Sequence, residues 1–204
     1  MTELLAVPAG YLLGSLPFGY WVPRVLRGED IRTHGSGNVG ASNVFRVYGW
    51  RLGTAVAVLD VAKGFAAASL GLWAGGALVG VLAGAAAMAG HARPLFLGFE
   101  RGGKMVATGG GVTFALAPLV AFVCVGVWVA VFLLTRYASV ASLVTTVTLA
   151  VLVIALGYPW PIVLFGLVGA VAVIAMHRQN IRRLRAGTES RFELGRSRGG
   201  GTSV

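Results

Sequence analysis

The chain has 204 residues, 56% hydrophobic and 12% charged, with a mean hydropathy of +0.80 and a formal net charge of +10. A soluble domain carries about 25% charged residues, so the composition excludes an ordinary water-soluble fold and implies a surface covered largely by lipid. The basic excess does not call for nucleic acid: the polar remainder is too small for such a module, and basic loops retained on the cytoplasmic side during insertion account for it.

Spanning the hydrocarbon takes about 20 apolar residues in a helix. Leu4–Pro23 is the first such run, with Gly10/Gly14 and Ser15/Gly19 spacings that suit close helix packing. Glu3 stands where a signal peptide would be basic and no small-residue cleavage site follows, so this run is taken as a retained span. The segment from Arg24 to Arg51 is polar, glycine-bearing and basic, and is expected to be a loop. Leu52–Trp73 is a second span, interrupted by Asp60 and Lys63. Gly75–Gly90 is a third, with a ridge of glycines at 76, 80 and 84. His91–Lys104 is a second polar loop. Met105–Thr135 is too long for one ordinary crossing at about 1.5 Å per residue. With Pro118 in its middle, it is expected to form two short helices that return to the same side. Ala138–Leu156 then crosses, Gly157–Pro161 turns, and Ile162–Met176 crosses back. The tail from His177 is strongly basic, and 190–204 is expected to be a disordered Gly/Ser-rich end to a single membrane domain spanning 1–189.

Charge position selects among topologies. With a hairpin at 105–135, Arg24, Arg27, Arg32, Arg46, Arg51, Arg93, Arg101, Lys104, Arg136 and the tail arginines share one side. The connections near Ala74, Pro118 and Gly157–Pro161 carry no charge. The positive-inside rule then predicts an all-α protein of seven transmembrane helices, N-terminus outside and C-terminus cytoplasmic.

Three cytoplasmic segments hold nearly all the polar functionality. In the first, His34–Arg46, glycine amides including that of Gly37 can approach an anion. Ser36, Asn38, Asn43 and Arg46 supply hydroxyl, amide and guanidinium groups for a phosphate cradle. The plain alternative is a loop capping the next helix. In the second, Gly102-Gly103-Lys104 precedes an expected half-length helix whose N-terminus favours anions. Met105 breaks the Walker spacing, so this is not a nucleotide-triphosphate loop. Lys104 as a mere topology determinant is the alternative. In the third, His177 and Asn180 share a helix face while the arginines, Arg183 among them, are expected to face headgroups. Asp60 and Lys63, three residues apart within a span, can form an ion pair that shapes the site or serves it directly. The single Cys124 lies in an apolar run and offers neither a disulfide framework nor a thiol metal site.

At these segments the sequence resembles the bacterial acyl-phosphate-dependent glycerol-3-phosphate acyltransferases. The matching strings are Gly35–Arg46, Asp60–Gly64, Gly90-His91 with Pro94–Phe99, Gly102–Lys104 with Val106–Thr108, Thr135–Ser142 and His177–Glu189, in family order over nearly the whole chain. The resemblance implies a bacterial inner-membrane enzyme with its site on the cytoplasmic face. It also implies transfer of an acyl group from acyl phosphate to the 1-hydroxyl of glycerol 3-phosphate, giving lysophosphatidate and phosphate without metal or coenzyme. The enzyme that supplies acyl phosphate is then an expected partner. Substrate phosphates are expected at Ser36, Gly37, Asn38, Asn43, Arg46, Gly102, Gly103, Lys104, Ser142 and Asn180. Lys104 is also expected to act in catalysis, with the proton taken by His177, by Asp60 through water, or by a substrate phosphate. The sequence departs from the family pattern at Ser42, Ala92-Arg93, Glu100-Arg101 and Met105. A small anion transporter, favoured by half-helices and intramembrane charge, is the reading from another class, and an inactive paralogue is a third.

Overall fold

The structure, a computed structural model, describes residues 2–192, and every regular element in that span is helical. The expected disordered tail lies mostly outside the described residues. Phe192, three residues past the expected boundary, is buried against the bundle. Among the described residues, three helices are long and apolar enough to cross a membrane by themselves, or up to four if a bent pair counts as one span.

The first apolar run is not one helix. It divides into α1 (Thr2–Gly14) and α2 (Phe18–Arg27). Pro17, which has no N–H to donate, stands at the break. In α1, Gly10 and Gly14 lie on the backbones of Ala83 and Ala87, where a Cβ would collide, as the small-residue spacing anticipated. The expected loop 24–51 contains the end of α2 and a further helix, α3 (Ala41–Tyr48).

α4 (Trp50–Ala92) contains non-helical backbone at Gly75 and Gly76, which divides it close to where two spans were expected. Its halves fold back on one another: Lys63 contacts His91, and Gly71 abuts Val79 and Gly80. α5 (Val106–Leu116) and α6 (Pro118–Thr135) form the expected hairpin about Pro118, but unequally. At about 1.5 Å per residue, α5 is half a crossing and α6 nearly a whole one. Lys104 and Arg136, at the hairpin's two ends, reach the same cluster. Lys104 reaches it through Asn180 and Glu189, and Arg136 O accepts the amide of Phe192. α7 (Ala138–Ala155) and α8 (Trp160–Met176) follow, and α9 (Arg178–Arg185) bends off α8 by 58° at His177. The core runs along the bundle through Val112, Leu116, Val120, Val153 and Phe165.

Candidate active site

A cavity of about 500 Å³ has two kinds of wall. Ser36, Asn38, Arg46, Lys104, His177 and Asn180 line its polar mouth. Val125, Trp128, Leu149, Phe165 and Val173 line an apolar slot between helices. Ser142 stands at the junction, its hydroxyl donating to Ala138 O at 2.7 Å and accepting from Trp128 Nε1 at 3.2 Å.

The mouth is organised around Glu189, whose side chain is 5% exposed. Its Oε1 accepts from Ser139 Oγ at 2.8 Å and Asn180 Nδ2 at 2.6 Å, and its Oε2 accepts from Arg183 Nε at 2.7 Å. Burial pushes this carboxyl up, but the donors Asn180, Ser139 and Arg183 outweigh burial and hold it below the usual range. Lys104 Nζ donates to Asn180 Oδ1 at 2.7 Å. Burial pushes the Lys104 ammonium down to about 8, helped by Arg183, Arg101 and Arg46 and opposed by Glu189. Arg46 stacks on the Phe192 ring at 4.8 Å and has no hydrogen-bond or ion-pair partner among the described residues. Burial pushes the His177 imidazole down to about 4, so the ring is neutral near pH 7. Its Nδ1 lies 2.8 Å from Val173 O, a contact that assigns the proton to Nδ1 and leaves Nε2 with a lone pair.

Beneath the mouth, Asp60, Lys63 and His91 form a second cluster. Lys63 Nζ lies 2.8 Å from Asp60 Oδ1 and 2.9 Å from His91 Nδ1, and donates to Leu16 O at 2.8 Å. The Asp60–Lys63 contact is held by charge rather than by an aligned hydrogen bond, since neither carboxylate oxygen has a hydrogen-bond partner among the described residues. Asp60 and His91 both reach the cavity wall.

The glycines have a different use from the one expected. Gly102 N and Gly103 N donate to Ala92 O and His91 O at 2.9 and 3.0 Å, and Gly37 N donates to His34 O at 3.0 Å. These amides are therefore engaged within the protein rather than presented to an anion. Asn43 is a loop staple: its Oδ1 accepts from Ser36 N and its Nδ2 donates to His34 O. Asn38 ties the two loops together, donating to Gly102 O at 2.8 Å while accepting from Gly40 N. The glycines and asparagines thus build the loops. Ser36, Arg46, Lys104, His177 and Asn180 line the mouth beside them.

Arg183 corrects a further expectation, because it turns inward to Glu189 instead of facing headgroups. Ser139, Glu189 and Phe192 were not anticipated as site residues. The available signal for Glu189 was a carboxylate in a strongly basic tail, at the end of the matching string His177–Glu189. The unusual Glu100-Arg101 pair also has a place. Glu100 meets Arg32 at 2.5 Å and Arg101 donates to Gln179 at 3.3 Å, so the loop is tied to its neighbours on both sides.

A family model described as glycerol-3-phosphate acyltransferase matches residues 4–187. A glycerol-3-phosphate acyltransferase of Synechococcus sp. (strain JA-2-3B'a(2-13)) is 49% identical over 192 residues, covering 94% of this chain and 96% of the relative. A relative named glycerol-3-phosphate acyltransferase 2, from Moorella thermoacetica, is 46% identical over 93% of this chain and 97% of its own length. Two crystal structures of PlsY (YgiH), an integral membrane glycerol 3-phosphate acyltransferase, superpose closely. The glycerol 3-phosphate form has a TM-score of 0.90 at 40% identity, and the lysophosphatidic acid form has 0.88 at 39%. Each covers 95% of this chain and 96% of the solved one.

Proposed function

The chain belongs to the glycerol-3-phosphate acyltransferase family, and from that premise we propose that it transfers the acyl group of an acyl phosphate directly to the 1-hydroxyl of glycerol 3-phosphate. One observation carries the reading: a cation-lined mouth continues into an apolar slot within a single cavity, which suits a reactant with a phosphate head and an acyl tail. In the mouth, Lys104 and Arg46 hold substrate phosphate, with Ser36 and Asn180 as further polar partners. Ser142 marks the level of the reacting carbonyl.

The acceptor oxygen attacks the acyl carbon, the bond from that carbon to the phosphate oxygen breaks, and phosphate leaves. His177 Nε2 accepts a hydrogen bond from the attacking hydroxyl and orients it. With its ring pushed down to about 4, His177 is a weak base. The departing phosphate, whose second ionisation lies near pH 6 in related esters, keeps the proton as hydrogen phosphate. Asp60 supplies negative charge opposite Lys63. An acyl phosphate is already activated, so no covalent enzyme intermediate is needed.

The same premise supports a seven-span arrangement in one membrane domain of a bacterial inner membrane, with the mouth cytoplasmic. The doubled-back α4 supplies two crossings, and the unequal α5–α6 hairpin keeps Lys104 and Arg136 at the same end as the basic tail. The enzyme that makes acyl phosphate is the expected supplier.

Purified protein given glycerol 3-phosphate should release phosphate from acyl phosphate and form lysophosphatidate, and should not turn over acyl-coenzyme A. Equal rates with the thioester would overturn the donor assignment. Cysteines at Gly35 and Gly157 of a Cys124→Ala protein should label from opposite faces, and labelling from one face would overturn the topology.

A further inference from the structure

We propose that His91 is a positioning residue that sets where Lys104 stands in the mouth, with Lys63 as its anchor. The inference rests on the reading that Lys104 binds substrate phosphate. His91 is buried, and its Nδ1 lies 2.9 Å from Lys63 Nζ; an ammonium has only donors, so Nδ1 is the acceptor. Lys63 is itself tied to three further groups: the Asp60 carboxylate, the carbonyl of Leu16 at the α1–α2 break, and the Phe18 ring 5.7 Å away. The imidazole is therefore fixed against both halves of α4 and the first helix pair.

The other side of the ring carries the glycine loop. A Cβ on Gly103 would strike Nε2, Cε1 and Cδ2 of His91 together, so the glycine lies directly against the imidazole. The amides of Gly103 and Gly102 are bonded to the carbonyls of His91 and Ala92, and a Cβ on Gly102 would meet the His91 carbonyl. The two residues before Lys104 thus take their height and direction from His91. Met105, immediately after, packs on the core beside α5. Between these supports, Lys104 has little freedom except in its side chain, which ends on Asn180. His91 makes no hydrogen bond to Lys104 among the described residues, so its influence runs through the backbone.

The test is the division of effect between KM for glycerol 3-phosphate and kcat, measured on the purified full chain with acyl phosphate as donor. Displacing the donor of a charged hydrogen bond weakens substrate binding, so His91→Leu should raise KM about tenfold or more while kcat changes about threefold or less. His91→Asn, which can offer an amide oxygen to Lys63, should recover most of the loss. Gly103→Ala should raise KM comparably in the native background, but add less than about twofold to His91→Ala, because the ring it would strike is gone. Additive effects, or a fall in kcat at native KM, overturn the proposal. If His91→Leu does not fold, Gly103→Ala decides alone, and a native KM with that variant overturns the proposal too. Lys104→Ala measured alongside separates the two readings. If Lys104→Ala leaves KM unchanged, the phosphate-binding reading fails. If it raises KM while the His91–Gly103 coupling is absent, only the positioning role fails.

Discussion

The two charge clusters use similar parts to opposite ends. In the inner one, a single carboxylate, Asp60, faces a single ammonium, Lys63, beside a histidine whose Nδ1 only accepts, so the charges cancel. In the mouth, one carboxylate, Glu189, stands among Arg183, Lys104 and Arg46, and one negative among three positive charges leaves an excess of two. A self-neutralised cluster inside a bundle fixes geometry. A cluster with surplus positive charge at an opening recruits an anion. On the proposed reading, charge balance, more than the residue types present, separates a structural ion pair from a binding site.

Breaking each cluster in turn should expose that division. The largest effect belongs to the inner pair: Lys63→Ala leaves Asp60 buried without its counter-charge and should cost about 3–5 kcal/mol of stability, read as thermal unfolding in detergent. Removing both charges with Asp60→Leu and Lys63→Met should recover most of that loss. A mild single variant would show that the bundle does not depend on the pair. In the mouth, Lys104→Ala should leave unfolding nearly unchanged and lower kcat/KM for glycerol 3-phosphate by about 10- to 150-fold, the worth of a charged hydrogen bond of about 1.5–3 kcal/mol. Acidity sharpens this second expectation. A lysine loses its charge as pH rises through its pKa, so phosphate binding by the free enzyme should weaken above pH about 8. Lys104→Arg should move that limb to higher pH, and a profile unaltered by this change would exclude Lys104 as its source. The smallest effect is Ser139→Ala, which removes one of several donors to Glu189 and should cost about 1 kcal/mol of stability.

Much of this arrangement was legible in the chain itself. The uncharged connections around Ala74, Pro118 and Gly157 placed Lys104 and Arg136 at one end, and in the structure Lys104 reaches Glu189 through Asn180 while Arg136 O accepts from Phe192 three residues on. Pro118 marked a real break because a proline there begins a helix and has no N–H to continue the one before it. Pro17 breaks the chain for the same reason, but hydrophobicity continues past it, and the run 4–23 read as one crossing. The glycines at 102 and 103 are ambiguous in a more general way. Close approach to an anion and close approach to a histidine ring both require the absence of a Cβ, so both leave the same signature in sequence. Arg183 and Glu189 lie six residues apart in a segment whose inward face is decided by α7 and the glycine loop, and local periodicity does not carry that information.

Met105, one of the departures from the family pattern, follows Lys104 with a φ of 70° in the left-handed region that favours glycine. An L-residue held there costs about 1–2 kcal/mol. Its side chain recovers part of that by packing against the core, and a chain without the glycine also has fewer unfolded conformations to give up, worth about 0.4–1 kcal/mol. Methionine is therefore held here at a backbone cost that these gains offset only in part. What differs is compliance: methionine leaves the backbone beside Lys104 fewer conformations than glycine would, so the lysine is carried on a stiffer support.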